Sequence, residues 1–142
     1  MNEVTLVHLI SEKTPPGLAD ALTRATFTDY VEIQVDPDPA RTCQRIAKST
    51  SAKNLIIIGT GDACSQLPAI ALAQRASGKQ ILSYQLIQPM LPAFTDSWPQ
   101  APISAYFPAG SAIPKELTLR GIQIEEFADL DEFARIIDNY LP

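Results

Sequence analysis

Cysteine and histidine are nearly missing from this chain of 142 residues, which holds Cys43, Cys64 and a single histidine, His8. Two thiols imply neither a disulfide framework nor a zinc site, and both are expected to lie buried and inert in helices. No metal is called for. Positive charge is scarce as well. Lys and Arg number 11 against 16 Asp and Glu, a net charge of -5, and the basic residues stand singly where a nucleic-acid backbone demands a concentrated basic face. No apolar run approaches the roughly 20 residues that crossing a bilayer takes. Acidic Glu3 and Glu12 flank the first apolar run, where a signal peptide would carry a basic stretch. These absences argue against nucleic-acid and membrane partners and lead to the expectation of a cytoplasmic protein. With 46% hydrophobic and 19% charged residues, the chain has an ordinary globular composition, in a length that suits one domain with a single core.

Strand and helix patterns alternate along the chain. Val4 to Ile10 is a β-rich run, and Gly17 to Ala25 then carries Leu18, Ala21, Leu22 and Ala25 at helical spacing after Pro15-Pro16. Tyr30 to Val35 alternates apolar with polar residues, and Pro39 to Ser49 returns to helical spacing behind Asp36-Pro37-Asp38. Leu55 to Ile58 is apolar throughout, as a strand covered on both faces should be. An Ala-rich helix, with Pro68 in its interior, is expected to run to Ala76 and stop at Gly78. Further strands are expected at Ile81 to Ile87, Pro102 to Phe107 and Ile122 to Phe127, with helices at Ile113 to Leu119 and Leu130 to Tyr140. Such alternation requires a mostly parallel sheet with helices on both faces, a three-layer α/β/α sandwich. Numbering the six strands along the chain, the expected order is 2-1-3-4-5-6. Ligands should then collect where the carboxyl ends of the first and third strands diverge, between the loops Ser11 to Gly17 and Gly59 to Ser65.

Gly59-Thr60-Gly61-Asp62-Ala63-Cys64 joins the third strand to its helix through a tight glycine turn. Turns of this kind expose a nucleophile, carry a dinucleotide fingerprint, or bind anions through free N–H groups. The dinucleotide pattern is incomplete, with Cys64 at the third small position and the turn on the third strand instead of the first. A flavodoxin-like module shares the topology, yet Pro15-Pro16 stands where its phosphate loop needs glycines and hydroxyls.

The run from Asn54 to Leu91, read as strand, elbow, helix, strand and Pro-rich loop, resembles the centre of an α/β-hydrolase of thioesterase or esterase type. The resemblance extends over nearly the whole chain and leaves out the two leading strands of the full fold. Its nucleophile register falls on Gly59-Thr60-Gly61-Asp62-Ala63, which sets Gly61 at the nucleophile. A register one residue on would present Asp62, in the manner of the dehalogenase and epoxide-hydrolase branches. The family's acid position reads Ala109-Gly110-Ser111-Ala112 and its histidine position Phe127-Ala128-Asp129-Leu130-Asp131, without an acid in the first or a histidine in the second. A serine hydrolase needs a base within reach of its nucleophile.

The expected function is therefore a non-catalytic, hydrolase-like binding or accessory domain for a small acyl or apolar ligand or a protein partner. The alternatives are a hydrolase using Asp62 and His8, and a flavodoxin-like nucleotide module. Expected ligand-binding residues are Gly59, Thr60, Gly61, Asp62, His8, Ser11 and Tyr106, with no cofactor. Asp62 is also a candidate N-cap, and His8, in step with Val4, Leu6 and Ile10, a candidate core histidine. Phe94, Trp98, Met90 and Tyr106 are candidates for an apolar pocket under a cap-like loop at 89–101. The second strand should form an open edge, which invites a homodimer or a covering partner.

Overall fold

The computed structural model describes residues 4–25, 29–91 and 101–140. Six strands form one parallel sheet: β1 (Val4–Ile10), β2 (Asp29–Gln34), β3 (Asn54–Thr60), β4 (Gln80–Ile87), β5 (Ile103–Pro108) and β6 (Gln123–Phe127), in the order β2-β1-β3-β4-β5-β6. That is the expected topology. The helices between them are α1 (Leu18–Ala25), α2 (Pro39–Ser49), α3 (Leu67–Ala76), α4 (Lys115–Leu119) and α5 (Leu130–Tyr140). None of the described helices is long and apolar enough to cross a membrane.

Strand alternation divides the core in two. Val7 and Leu9 of β1 and Leu55 and Ile57 of β3 pack against α2, α3 and α4 through Ile46, Leu67, Ile70 and Leu117. Leu6 of β1 and Ile56 and Ile58 of β3 face α1 and α5 through Leu18, Leu22, Phe133 and Ile137. β1 and β3 are buried on both faces and so read as continuous apolar runs, whereas edge strand β2 exposes Asp29, Glu32 and Gln34. Among the described strands β2 is an edge, as expected, and two of its three exposed residues are acidic. Like charges set opposite one another would oppose pairing of two copies there.

Helix starts follow their capping chemistry. Asp38 accepts the Ala40 N–H at 3.0 Å and Pro39 takes the first helical position of α2, where a missing N–H costs nothing. At α5, Asp129 accepts from Glu132 N at 2.8 Å while the Glu132 carboxylate accepts from Ala128 N at 3.2 Å, a reciprocal capping arrangement. Asp129→Ala should therefore lower stability by about 1 kcal/mol in urea denaturation. A change below a few tenths would show that the cap is not holding α5.

The third crossover departs from expectation. β3 is followed by a 3-10 segment, Gly61–Gln66, and α3 starts only at Leu67. Pro68 thus sits in the first turn of α3 instead of its interior, so it removes no helical hydrogen bond and has no reason to kink the helix. Cys64 likewise lies in the 3-10 segment and not in an α-helix.

Candidate functional site

The turn after β3 is built around Gly61. Its φ of +58° lies in the left-handed region that favours glycine, and this reversal carries the chain from the strand into the 3-10 segment. Met90 N donates to the Gly61 carbonyl at 3.0 Å, tying the chain beyond β4 to the turn. A Cβ at Gly61 would stand 3.1 Å from Lys13 Cβ and 3.2 Å from Lys13 Cγ. The stem of Lys13 therefore lies across the tip of the turn, where an elbow would display its reactive side chain. Gly59 is less confined, since a Cβ there would meet Cys64 Sγ at 3.4 Å.

Backbone conformation distinguishes the two elbow registers. Gln88 is the non-glycine residue with positive φ among those described, so Asp62 does not occupy a left-handed turn position. Asp62 is exposed in the first turn of the 3-10 segment. Nor is it the N-cap. That position belongs to Thr60, which makes no side-chain cap hydrogen bond, because the 3-10 turn begins at Gly61, two residues earlier than a helix capped by Asp62 would. Thr60 itself is buried, with its hydroxyl unpartnered among the described residues. The Cys64 thiol is pushed up by burial and, secondarily, by the charge of Asp62, which keeps it protonated and unreactive.

His8 is 0% exposed, on the side of β1 that faces α1 and α5. Its Nδ1 lies 2.7 Å from the Tyr30 hydroxyl, which donates in turn to Glu32 at 3.3 Å. Which of the two groups donates in the His8–Tyr30 bond is set by the imidazole tautomer. Nε2 is buried without a partner among the described residues. Burial pushes the imidazole down from 6.5 to about 4, so His8 is neutral near pH 7.

A crevice of about 490 Å³ opens between the carboxyl ends of β1, β2 and β3, at the reversal of strand order. Ser11, Glu12, Asp36, Asp62, Ser65 and Gln66 line it, with Ile10, Val35 and Ala63 as apolar floor. Of the expected ligand-binding residues, Ser11 and Asp62 line it. The loop bearing Ser11 is held by Ser11 N donating to Thr14 Oγ1 at 2.9 Å and Thr14 N donating to the Ser11 carbonyl at 3.1 Å. Asp36 is paired with Arg45 at 3.1 Å, and Gln66 donates to the Asp36 carbonyl. The Gln66 oxygen is left without a donor among the described residues. Sequence reasoning missed Asp36, Gln66 and the placement of Lys13. Asp36-Pro37-Asp38 reads locally only as the lead-in to a helix, and Gln66 reaches it across 30 positions.

Five expected residues, Gly59, Thr60, Gly61, His8 and Tyr106, are not among those lining the crevice; the first three form the end of β3 and the buried start of the turn behind it. His8 shares no hydrogen bond with Asp62; its side-chain hydrogen bond and ring contact are with Tyr30. Tyr106 is 0% exposed, donates to Gln85 Oε1 at 2.6 Å and meets Phe133 edge-to-face at 4.9 Å. Its side of β5 packs under α5, so it is a core residue and not part of an apolar pocket. Met90 is exposed, and Phe94 and Trp98, with most of the cap-like loop, lie outside the described residues. Where the family's acid would stand, a turn with Gly110 at φ +87° follows β5. Where its histidine would stand, Asp129 caps α5. Among the described residues no group of three or more His, Cys, Asp or Glu could hold a metal ion.

Strand order and the crossover helices define an α/β fold with one six-stranded parallel sheet. A solved structure from Xanthomonas campestris pv. campestris, described provisionally as a hydrolase of the alpha/beta superfamily, superposes with a TM-score of 0.60 at 13% identity over 99% of each chain. At that identity the likeness concerns the fold alone. No protein-family model matches the chain, and no curated protein matches it in sequence.

Proposed function

We infer that the chain is a single binding domain on a hydrolase-like scaffold, without the hydrolase reaction, and that its ligand occupies the crevice between β1 and β3. The observation that carries this reading is Gly61, left-handed at the tip of the turn with Lys13 packed over it. The turn has its elbow-like backbone while the space for a nucleophile is filled. The crevice bears Glu12 and Asp62 at its rim, so a small ligand with hydrogen-bond donors or positive charge suits it better than an acyl chain. The hydrolase alternative draws no support from geometry, since a neutral, buried His8 facing α1 and α5 offers no base to an exposed Asp62.

p-Nitrophenyl acetate and an acyl thioester test the reading directly. Turnover by the natural protein, Asp62→Asn and His8→Gln is expected to match the uncatalysed rate. Hydrolysis that is well above background and disappears in Asp62→Asn would overturn it.

A further inference from the structure

A second cavity, of about 320 Å³, lies away from the crevice, between the end of α3 and the first half of β4. Local chain geometry assembles it. β4 carries a bulge: Leu55 pairs with Ile81, but the next residue, Ile56, pairs with Ser83. Strict alternation from Ile81 would put Tyr84 on the α1 and α5 face, and the extra residue returns it to the α3 face. On the other wall, α3 ends in a left-handed glycine cap. Gly78, at φ +78°, donates to the Arg75 carbonyl at 3.2 Å, and Lys79 N donates to the Gln74 carbonyl at 2.9 Å. The cap satisfies those two carbonyls and turns Lys79 back over the cavity, where its ammonium donates to the Thr50 carbonyl at 2.9 Å.

The lining is chemically one-sided. Arg75 and Lys79 supply positive charge, no Asp or Glu is among the lining residues, and Ala71, Ile81 and Ala101 give apolar surface. Gln74 lines the cavity while only 3% exposed, and its side-chain oxygen finds no donor among the described residues. Tyr84, 1% exposed, forms the deep wall. Arg75 acts on it electrostatically, opposing the burial that raises its phenol. A buried amide oxygen without a donor is a standing cost to the fold, and it asks for an O–H or N–H from whatever fills the cavity.

We propose that this cavity binds a small organic carboxylate that also bears a hydroxyl. The carboxylate pairs with Arg75 and the unused ammonium donors of Lys79, the body lies on Ala71, Ile81 and Ala101, and the hydroxyl donates to Gln74. The site is independent of the crevice and of its ligand.

The probe is 4-hydroxybenzoate, titrated into the full chain and followed by NMR at the Gln74, Arg75 and Tyr84 signals, with benzoate and inorganic phosphate as separate arms. Saturable shifts confined to this region are expected, with benzoate at least fivefold weaker and phosphate weaker still. Exposed Arg75→Glu should weaken 4-hydroxybenzoate at least tenfold without moving the melting temperature by more than a few degrees, and Gln74→Leu should bring it to the benzoate level. No saturable shift at 10 mM, equal binding of phosphate, or an affinity that Arg75→Glu leaves within twofold would each overturn the proposal.

Discussion

Replacing Gly61 by serine is expected to cost about 3 kcal/mol of stability and to create no esterase. Two effects combine. A side chain forced into the left-handed region costs about 1–3 kcal/mol, and the new Cβ must be accommodated at 3.1 and 3.2 Å from Lys13, an overpacking of the kind that costs about 1–3 kcal/mol. The second effect is separable from the first. Lys13→Gly removes both atoms that the new side chain meets, whereas Lys13→Ala keeps the nearer one, Cβ, and so relieves less. A double-mutant cycle in urea should show a favourable coupling of about 1 kcal/mol or more between Gly61→Ser and Lys13→Gly. Additive losses, or a Gly61→Ser protein within 0.5 kcal/mol of the natural one (roughly the limit for an ordinary surface change), would mean that the elbow tip is not closed by Lys13. Catalysis is not expected to appear even in the relieved double variant, because Asp129 caps a helix at the family's histidine position and His8 is sealed in the core.

Acid should remove a comparable amount of stability through His8. The imidazole titrates near 6.5 when unfolded and only near 4 in the folded chain, because burial disfavours its charged form. Above pH 6.5 neither state is protonated there, and the group adds no pH dependence. As pH falls from 6.5 towards 4 the unfolded chain binds a proton that the folded chain refuses, so stability drops across that window and levels below it. The gap corresponds to a loss of about 3 kcal/mol, at about 1.4 kcal/mol per unit. Urea midpoints measured from pH 7.5 to 3.5 on the natural chain and on His8→Gln isolate this contribution, because every other titrating group is common to both. Tyr30 and Glu32 are the polar groups linked to the ring, and Tyr30, itself raised by burial and by Glu32, stays neutral throughout. The variant should show a shallower fall by about that amount. Parallel curves would mean that the imidazole is reached by water and is not buried as neutral.

Both expectations come from places where local reading and tertiary packing meet differently. At Gly61 the local reading was nearly sufficient. A glycine flanked by small residues between an apolar strand and a helical pattern already implied a sharp turn with nothing to react at its tip, and the left-handed φ agrees. That Lys13 fills the space in front could not be read from the sequence, because an exposed lysine in a loop carries no signal of where its stem lies. At His8 the period of two correctly grouped the residue with Leu6, but only the helices chosen by each sheet face made that side a closed core.

The alternation of apolar runs and helical spacing determined the parallel sheet, its order and the switch point between β1 and β3, since right-handed crossovers leave few other ways to cover both faces. The caps at Asp38 and Asp129 are local, each acting within four residues of itself, yet the one N-cap read from the sequence, Asp62, is displaced by the 3-10 turn. Tertiary structure alone decided which polar groups share a cavity. Gln66 reaches Asp36, and Tyr106 turns from the expected ligand pocket to Gln85 and Phe133. A one-residue bulge in β4 carries Tyr84 across the sheet to Gln74 and Arg75. Such meetings depend on register and crossover geometry summed over the whole chain, which no local window of sequence contains.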